Sequence, residues 1–232
     1  KKLIDKVWDD FEKQKEFIIE KANVFGKTSI VETRILADDE KKPDQNIIDN
    51  ITKDILCWAD GFALWDEVSS WPNAVEAVEE LYDLIIKQQE KIDTNYKLKD
   101  LNIKKENAIT DYIIYNAYKI AKEFDIKVIL CPSESWYTTA KLSALKPWIP
   151  IVSFTKNDST YRYTNLMRWV KSYKVATWFN YENIKRIGKE IIRFMNKWDM
   201  SLEVKVLIVH STATQNMSSM INWIEIYRFK DL

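Results

Sequence analysis

The stretch VILCPSESWYTTAKLSALKPWIPIVSFTKND, residues 128–158, decides the fold of this 232-residue chain. An apolar run, 128–131, leads into a loop rich in hydroxyl groups, and a second apolar run, 149–154, follows a helix-forming segment. This order predicts a strand, a loop, a helix and a parallel strand, an arrangement in which the helix N-terminus can bind a phosphate group. The loop contains no glycine, and Trp136 and Tyr137 stand in its middle. The residues therefore leave open whether the loop binds an anion or only caps its helix.

The same alternation continues on both sides of this stretch and predicts an α/β domain over residues 107–232. The predicted helices are 107–124, 138–146, 159–170 and 181–198, and the predicted strands are 126–131, 149–154, 173–178, 203–209 and 220–228. Helices between consecutive strands favour a mostly parallel sheet covered on both faces, with the last strand antiparallel because a short loop precedes it. Gly188 lies inside a predicted helix, where glycine costs about 1 kcal/mol against alanine, so we expect close packing there.

Residues 1–91 form a second predicted unit. Its expected helices are 2–22, 43–57 and 73–91, and its expected strands are 28–36 and 61–64. Residues 92–106 are charged and lack periodicity, which is typical of a linker. Apolar residues at helical spacing, among them Ile18, Val75 and Val78, predict helix faces that are directed at a core.

Composition argues against several classes of function. The 35 basic and 35 acidic residues cancel, so no net field favours nucleic acid, and no apolar run approaches the roughly 20 residues of a membrane span. Cys57 and Cys131 lie in apolar segments, which favours buried free thiols and a reducing, cytoplasmic compartment. The chain has three glycines, whereas phosphate-binding loops depend on glycine for close backbone approach. His210 is the only histidine, and we expect it at a cap or on the surface.

Four collinear segments resemble the pyruvate kinase family. They are FGKTSIVETRIL (25–36), similar to AGKPVIxATQML; ADGFALWDEVSSWPNAVEAVEELYDLI (59–85), similar to GADxxMLSGETAxGxYPxEAVxxMxxI; SESWYT (133–138), similar to a TESGRS-like loop; and PIVSFTKNDSTYRYTNLMRWVKSYKV (150–175), similar to PIIAVTRNxxTARxxxLxRGVxPV. The resemblance implies that residues 1–91 are the last two βα units of a (β/α)8 barrel, and that residues 107–232 are the C-terminal α/β domain. Two strands cannot close a barrel, so we expect missing chain or a protein partner to cover residues 1–91.

The resemblance also implies where functional residues would lie. Thr33 matches the threonine of the ATQ motif and Glu67 the glutamate of SGET, so both are candidate, vestigial catalytic residues. Ser133, Ser135 and Thr138 match hydroxyl positions of a loop that holds an effector phosphate in the family. That family transfers a phosphoryl group from phosphoenolpyruvate to ADP with Mg²⁺ and usually K⁺. We expect no metal site in this chain, and Mg²⁺ and K⁺ would be needed only if the family activity is retained.

Substitutions within these motifs favour loss of that chemistry. Trp65 and Asp66 replace the Ser-Gly that precedes Glu67, and Trp136 and Tyr137 replace the Gly-Arg of the phosphate loop. Bulky side chains at former glycines remove the close backbone approach that a charged ligand needs. Asp66 and Glu67 could be offered as a metal pair, but adjacent residues of a strand point to opposite faces.

We therefore expect a catalytically inactive, pyruvate-kinase-like protein that acts as a structural or interaction component of a larger assembly. Its oligomer or partner contacts are expected at 220–228, and its location in the cytoplasm, within a cytoskeletal or other large complex. The second half of the effector site would fall at 210–216 (HSTATQN), which lacks glycine and arginine. Two alternatives stay open: the C-terminal part of an active pyruvate kinase, and a regulatory module that binds a metabolite at 133–139.

Overall fold

The structure is a computed structural model that describes residues 2–35, 43–65, 68, 74–90, 107–176, 181–194, 203–213 and 220–232. The chain divides into two compact units, Lys1–Lys97 and Leu98–Leu232. The proposed linker, 92–106, lies outside the described residues, so the domain boundaries stay a prediction. Within the described ranges, no helix is long and apolar enough to cross a membrane.

The first unit follows the predicted order of elements. They are α1 (Lys2–Val24), β1 (Ile30–Thr33), α2 (Gln45–Leu56), β2 (Gly61–Leu64) and α3 (Ala74–Gln89). The two strands pair in parallel, with Ile30 opposite Gly61, and β1 is shorter than the expected 28–36. Helix α2 begins at Asp44, whose carboxylate accepts a hydrogen bond from the backbone N–H of Ile47 at 2.8 Å and so satisfies one free donor of the first turn.

Several apolar residues of this unit lack the cover that their spacing predicted. Ile18 is 64% exposed in α1, and Val75 and Val78 are 68% and 56% exposed in α3, so the prediction that these three residues face a core is wrong within the described part of the chain. Ile19, the next residue of α1, is buried, and so is Leu81 of α3, which lies on the predicted face three residues after Val78. The physical reason is that each helix carries apolar residues on more than one face, and a two-stranded sheet can cover only one of them.

The second unit is an α/β sandwich. Its elements are α4 (Ala108–Glu123), β3 (Ile126–Pro132), α5 (Tyr137–Ala144), β4 (Ile151–Thr155), α6 (Asp158–Thr164), β5 (Val170–Lys174), α7 (Tyr181–Phe194), β6 (Lys205–Ala213) and β7 (Met220–Arg228), followed by a 3-10 turn (Phe229–Asp231). The strand order is β5-β4-β3-β6-β7. Strands β3 to β6 pair in parallel and β7 is antiparallel to β6, which confirms the predicted sheet.

The sheet has an apolar core on each face. One core packs residues of α4 and α5, such as Ile114 and Leu142, against the strands. The other packs α7 on the opposite face, where Gly188 approaches Leu130 of β3. A Cβ atom added to Gly188 would lie 2.4 Å from the Cδ1 atom of Leu130, so the prediction of close packing at this glycine is confirmed.

The region between β4 and β5 differs from the prediction. Helix α6 ends at Thr164 rather than at 170, and β5 is 170–174 rather than 173–178. The side chain of Asn157 caps the start of α6, and Trp169 adopts a left-handed backbone (φ 68°), which cannot continue a helix. Val170 therefore begins the strand, although its apolar side chain also fits the helical spacing of the preceding residues.

Candidate functional site

The hydroxyl-rich loop, residues 133–136, lies at the carboxyl end of β3, directly before α5. In open α/β sheets, ligands bind at the carboxyl ends of the parallel strands. The backbone N–H of Ser133 donates to the carbonyl of Phe154 in β4 at 3.1 Å. The hydroxyl of Thr160 in α6 donates to the carbonyl of Glu134 at 3.2 Å. The neighbouring strand and helix thus hold the loop backbone in place.

The three candidate phosphate-binding hydroxyls do not converge on one point. Ser133 is buried, and its hydroxyl donates to the carbonyl of Ser135, whose own side chain is exposed. Thr138 is buried in the first turn of α5, and within the described ranges no hydrogen bond joins it to either serine. The deeper Thr139 places its hydroxyl 3.2 Å from that of Ser153, inside the core. One of the three hydroxyl groups, that of Ser133, is therefore hydrogen-bonded to the backbone of the loop itself.

The start of α5 lacks the side-chain cap that the sequence suggested. Trp136 is the N-cap residue, with a right-handed helical backbone, and its side chain makes no capping hydrogen bond. An indole has no acceptor that can reach the free N–H groups of the first turn, whereas serine, threonine, aspartate and asparagine do. The expectation that the loop hydroxyls cap this helix is therefore wrong.

Aromatic side chains and a buried carboxylate surround the loop. The Trp136 and Tyr163 rings meet edge to face, with centroids 5.5 Å apart and planes at 78°. The hydroxyl of Tyr137 donates to Oδ1 of Asp111 at 2.7 Å, and Lys141 Nζ lies 3.9 Å from Oδ2 of the same carboxylate. Burial, and then the hydrogen bond with Asp111, raise the pKa of Tyr137 above its usual value, so the phenol stays a donor.

Asp111, Lys141 and Tyr163 were not among the sequence candidates. A signal for Asp111 did exist, because it occupies the same buried face of α4 as Ile114 and Ala117. A carboxylate on an apolar helix face is buried only when it has polar partners, so the position of Asp111 in the sequence predicts a polar contact. The identity of the partner, Tyr137 on another helix, depends on the tertiary structure.

The segment proposed as the second half of the effector site does not form a loop at its start. His210 and residues 211–213 belong to β6, and 214–216 lie outside the described residues. His210 is 2% exposed and stacks on Trp223 of β7 with centroids 5.4 Å apart, so the expected surface or capping role is wrong. Burial lowers the pKa of His210 to about 4, and neither ring nitrogen has a hydrogen-bond partner among the described residues.

In the first unit, Thr33 is the last residue of β1. It is half-buried, and its hydroxyl donates to the carbonyl of Arg34 at 3.5 Å. The guanidinium of Arg34 lies 5.7 Å from the ring of Trp65, which follows β2, and this indole is 42% exposed. Glu67, the other candidate catalytic residue, and Asp66 lie outside the described residues. Within the part of the chain that the structure describes, no three His, Cys, Asp or Glu side chains could share a metal ion, so no residue is assigned to Mg²⁺ or K⁺.

Two tryptophans stand where the resembling motifs have glycine. Trp169 aligns with the glycine of RGV, and Ala59-Asp60 aligned with the AD of GAD places Trp58 at the preceding glycine. Both adopt left-handed backbone conformations, with φ of 68° and 72°. A residue with a Cβ atom pays roughly 1–2 kcal/mol for this conformation. Both positions thus adopt the backbone conformation that glycine favours, although each carries a tryptophan.

Comparison with known proteins gives a consistent result. The family model described as "Pyruvate kinase, alpha/beta domain" matches residues 111–227. A pyruvate kinase of Clostridium perfringens is 29% identical over 182 residues, which cover 75% of this chain and 38% of that protein. One of Bacillus licheniformis is 28% identical over 156 residues, which cover 66% of this chain and 26% of that protein. The chain therefore spans well under half the length of these relatives.

A solved structure shares the fold. Cryptosporidium parvum pyruvate kinase in complex with ADP superimposes with a TM-score of 0.73 at 18% identity. The match covers 92% of this chain and 43% of that structure's chain. At this identity the likeness concerns the fold alone, and it extends over both compact units.

Proposed function

Since the chain belongs to the pyruvate kinase family, we propose that it retains the fold of that family as a structural or protein-interaction component and has lost phosphoryl transfer. The observation that carries this proposal is the end of β2, where Trp65 stands at the serine of the SGET-like motif and its ring lies 5.7 Å from the Arg34 guanidinium. The loop before α5, which would hold an effector phosphate, shows the same kind of change. Trp136 and Tyr137 replace a Gly-Arg pair there, and both are engaged with the protein's own side chains. A loop that holds an effector phosphate needs close backbone approach and positive charge, and the Trp136-Tyr137 pair supplies neither.

The uncovered helix faces of the first unit support a partner. Exposed apolar residues recur along one face of α3, which carries Val75, Val78, Tyr82 and Ile86. A run of apolar side chains on one helix face is typical of an interaction surface. We propose that another polypeptide, or further chain of the same protein, covers this face in the assembly.

Strand β7 is a second proposed contact. It is nine residues long, lies at the edge of the five-stranded sheet and pairs with β6 alone among the described strands. An edge strand of this length presents unpaired N–H and C=O groups that can accept a further strand. Ile226 is 45% exposed on it. This edge therefore supports the proposal that the protein functions in an oligomer or larger complex.

A second function deserves testing because the chain covers 38% of one relative and 43% of the chain of a solved structure. In that reading the chain is the C-terminal part of an active pyruvate kinase, and residues that bind Mg²⁺, K⁺ and substrate belong to the part that the match does not cover. Among the described residues, no three His, Cys, Asp or Glu side chains lie close enough to share such an ion.

The two functions are separated by a coupled assay for pyruvate formation from phosphoenolpyruvate and ADP, with Mg²⁺ and K⁺, on the complete native polypeptide. The structural proposal predicts no turnover above background. A turnover above ~1 s⁻¹, the low end of typical enzymes, would establish the active enzyme instead. Size-exclusion chromatography of the native protein then tests the partner: elution at the mass of the free polypeptide contradicts the assembly.

A further inference from the structure

Helix α3 carries a stripe of charged side chains beside its exposed apolar face. Positions i, i+4, i+7 and i+11 of a helix lie on one side of it. On α3 these positions are held by Glu76, Glu80, Asp83 and Lys87, and all four side chains are exposed. The acidic stripe of α3 therefore consists of three acids followed by one cation.

Helix α7 carries a stripe with the same spacing and the complementary order of charges. Its four positions are held by Glu182, Arg186, Lys189 and Arg193. All four residues line one open cleft, which Asp231 of the 3-10 turn also borders. Lys189 is partly exposed and the other three are exposed. The basic stripe of α7 therefore consists of one acid followed by three cations.

The two stripes match each other when the helices run antiparallel. Each stripe spans eleven residues, which is roughly 16 Å at the rise of an α-helix. A parallel alignment would place Glu76 beside Glu182 and Lys87 beside Arg193, so two of its four pairs would repel. The antiparallel alignment gives four pairs of opposite charge, which are Glu76 with Arg193, Glu80 with Lys189, Asp83 with Arg186, and Lys87 with Glu182.

The helix dipole explains only the ends of these stripes. An acid in the first turn and a base in the last turn stabilise a helix by themselves, and this effect falls off within one turn. It accounts for Glu76 at the start of α3 and for Arg193 at the end of α7. It gives no reason for the two acids in the middle of α3, Glu80 and Asp83, opposite two cations in the middle of α7.

The middle cations of α7 remain able to bind a carboxylate of a partner. The ammonium group of Lys189 donates hydrogen bonds to the main-chain oxygens of Lys230 and Leu232 at 3.4 and 3.2 Å, which hold it at the cleft. Arg186 lies 3.3 Å from the Glu190 carboxylate, and these side chains are 54% and 62% exposed. An exposed ion pair of this kind contributes little, so Arg186 can exchange its partner at small cost.

We infer that the basic stripe of α7 binds the acidic stripe of α3 from a second copy of this chain. This inference deepens the proposed function, on which it rests, because it names a second copy as one partner in the assembly. The contact joins two different surfaces, so each pair of copies still presents one α3 and one α7 to further copies. Two helices of this length form a small contact, which places it among the weak, salt-sensitive interactions.

The test measures self-association of the whole chain by sedimentation velocity, at about 0.2 mM protein and about 0.1 M salt. One variant, Arg186→Glu/Arg193→Glu, makes the stripe of α7 acidic, and the other, Glu76→Lys/Asp83→Lys, makes that of α3 basic. Each variant places like charges opposite each other, so its self-association should be weaker than that of the native protein by at least about tenfold. An equimolar mixture of the two should associate again, because each variant supplies the charge that the other lacks.

A matched control and the salt dependence complete the experiment. Lys119→Glu/Lys122→Glu makes the same change of charge at two exposed positions of α4, and it should associate like the native protein. Circular dichroism checks that each variant is folded. Raising the salt to about 1 M shortens the screening length from about 10 Å to about 3 Å, so the association of the native protein should be lost.

Every outcome decides for or against this contact. Native protein that sediments as a monomer at low salt overturns it, and so do folded variants that associate like the native protein or a mixture that stays dissociated. Native association that is unchanged at high salt overturns it even where a variant fails to fold. The proposed function is decided separately: pyruvate turnover would overturn it while leaving a restored mixture as evidence for the contact.

Discussion

The contact between Gly188 and Leu130 gives the sharpest stability prediction. In Gly188→Ala, the new Cβ atom would lie 2.4 Å from the Cδ1 atom of Leu130, whereas carbon atoms in contact lie roughly 3.5–4.0 Å apart. Leu130 is fully buried in the core beneath α7, so it cannot retreat into solvent. Overpacking costs ~1–3 kcal/mol, and a 2.4 Å approach to a buried side chain belongs to the upper part of that range, ~2–3 kcal/mol, whereas replacement of a helical glycine by alanine returns about 1 kcal/mol. We expect a net destabilisation of about 1–2 kcal/mol.

Urea unfolding of the whole chain, followed by far-ultraviolet circular dichroism, measures this loss in the transition of the second unit. For a slope of ~2 kcal/mol/M, the midpoint should fall by about 0.5–1 M. Gly61→Ala is the matched control, because its Cβ atom would lie 3.9 Å from Cγ1 of Ile30, an ordinary contact. A Gly188→Ala variant that equals or exceeds the native stability would refute the reasoning.

A double-mutant cycle then identifies the contact. Leu130→Ala alone should cost ~2–5 kcal/mol, because it opens a cavity in a closed core. In the double variant with Gly188→Ala, the new methyl group enters that space, so the combined loss should be smaller than the sum by about 1–2 kcal/mol. Strict additivity would show that the two residues do not press on each other.

Three further predictions concern buried charge and backbone strain. Lowering the pH from 7 to 5 should reduce the free energy of unfolding of the native protein, measured with urea, by ~2 kcal/mol. The reason is that His210 has a pKa of about 4 in the folded state against 6.5 for the free side chain, so between these pH values the unfolded state binds the proton and the folded state does not. His210→Phe should lose this part of the pH dependence. Lys15→Met should destabilise the first unit by about 3 kcal/mol at pH 7, because it leaves the buried Asp54 carboxylate without the ammonium group that lies 2.8 Å away. Burial raises the pKa of Asp54, so the loss should become smaller at lower pH, where this carboxyl group is neutral. A loss that does not change with pH would contradict the pairing. Trp169→Gly should be more stable than Trp169→Ala by about 1 kcal/mol in thermal unfolding, since the left-handed backbone at φ 68° favours glycine, and the opposite order would show that the position is unstrained.

Local sequence patterns were sufficient to predict most of the helices and strands of the second unit. The apolar runs at β3 and β4 and the amphipathic spacing of α4 and α7 depend on neighbours along the chain, and they predicted the order and the direction of the strands. The same reasoning failed between 159 and 178, because Trp169 turns the backbone in a conformation that its residue type disfavours. It also placed His210 on the surface, because a single polar residue gives no periodic signal of burial.

In the candidate site, too, some features follow from residue order and others from the packing of the helices. The sequence by itself determined that Trp136 and Tyr137 replace small and charged residues in a loop between a strand and a helix, since this follows from residue order alone. Only the tertiary structure decided what these side chains contact, because Asp111 lies 26 residues from Tyr137 along the chain and is brought to it by packing of α4 against α5. Side-chain chemistry is carried by the sequence, whereas the distance between two groups on different helices is set by the core between them.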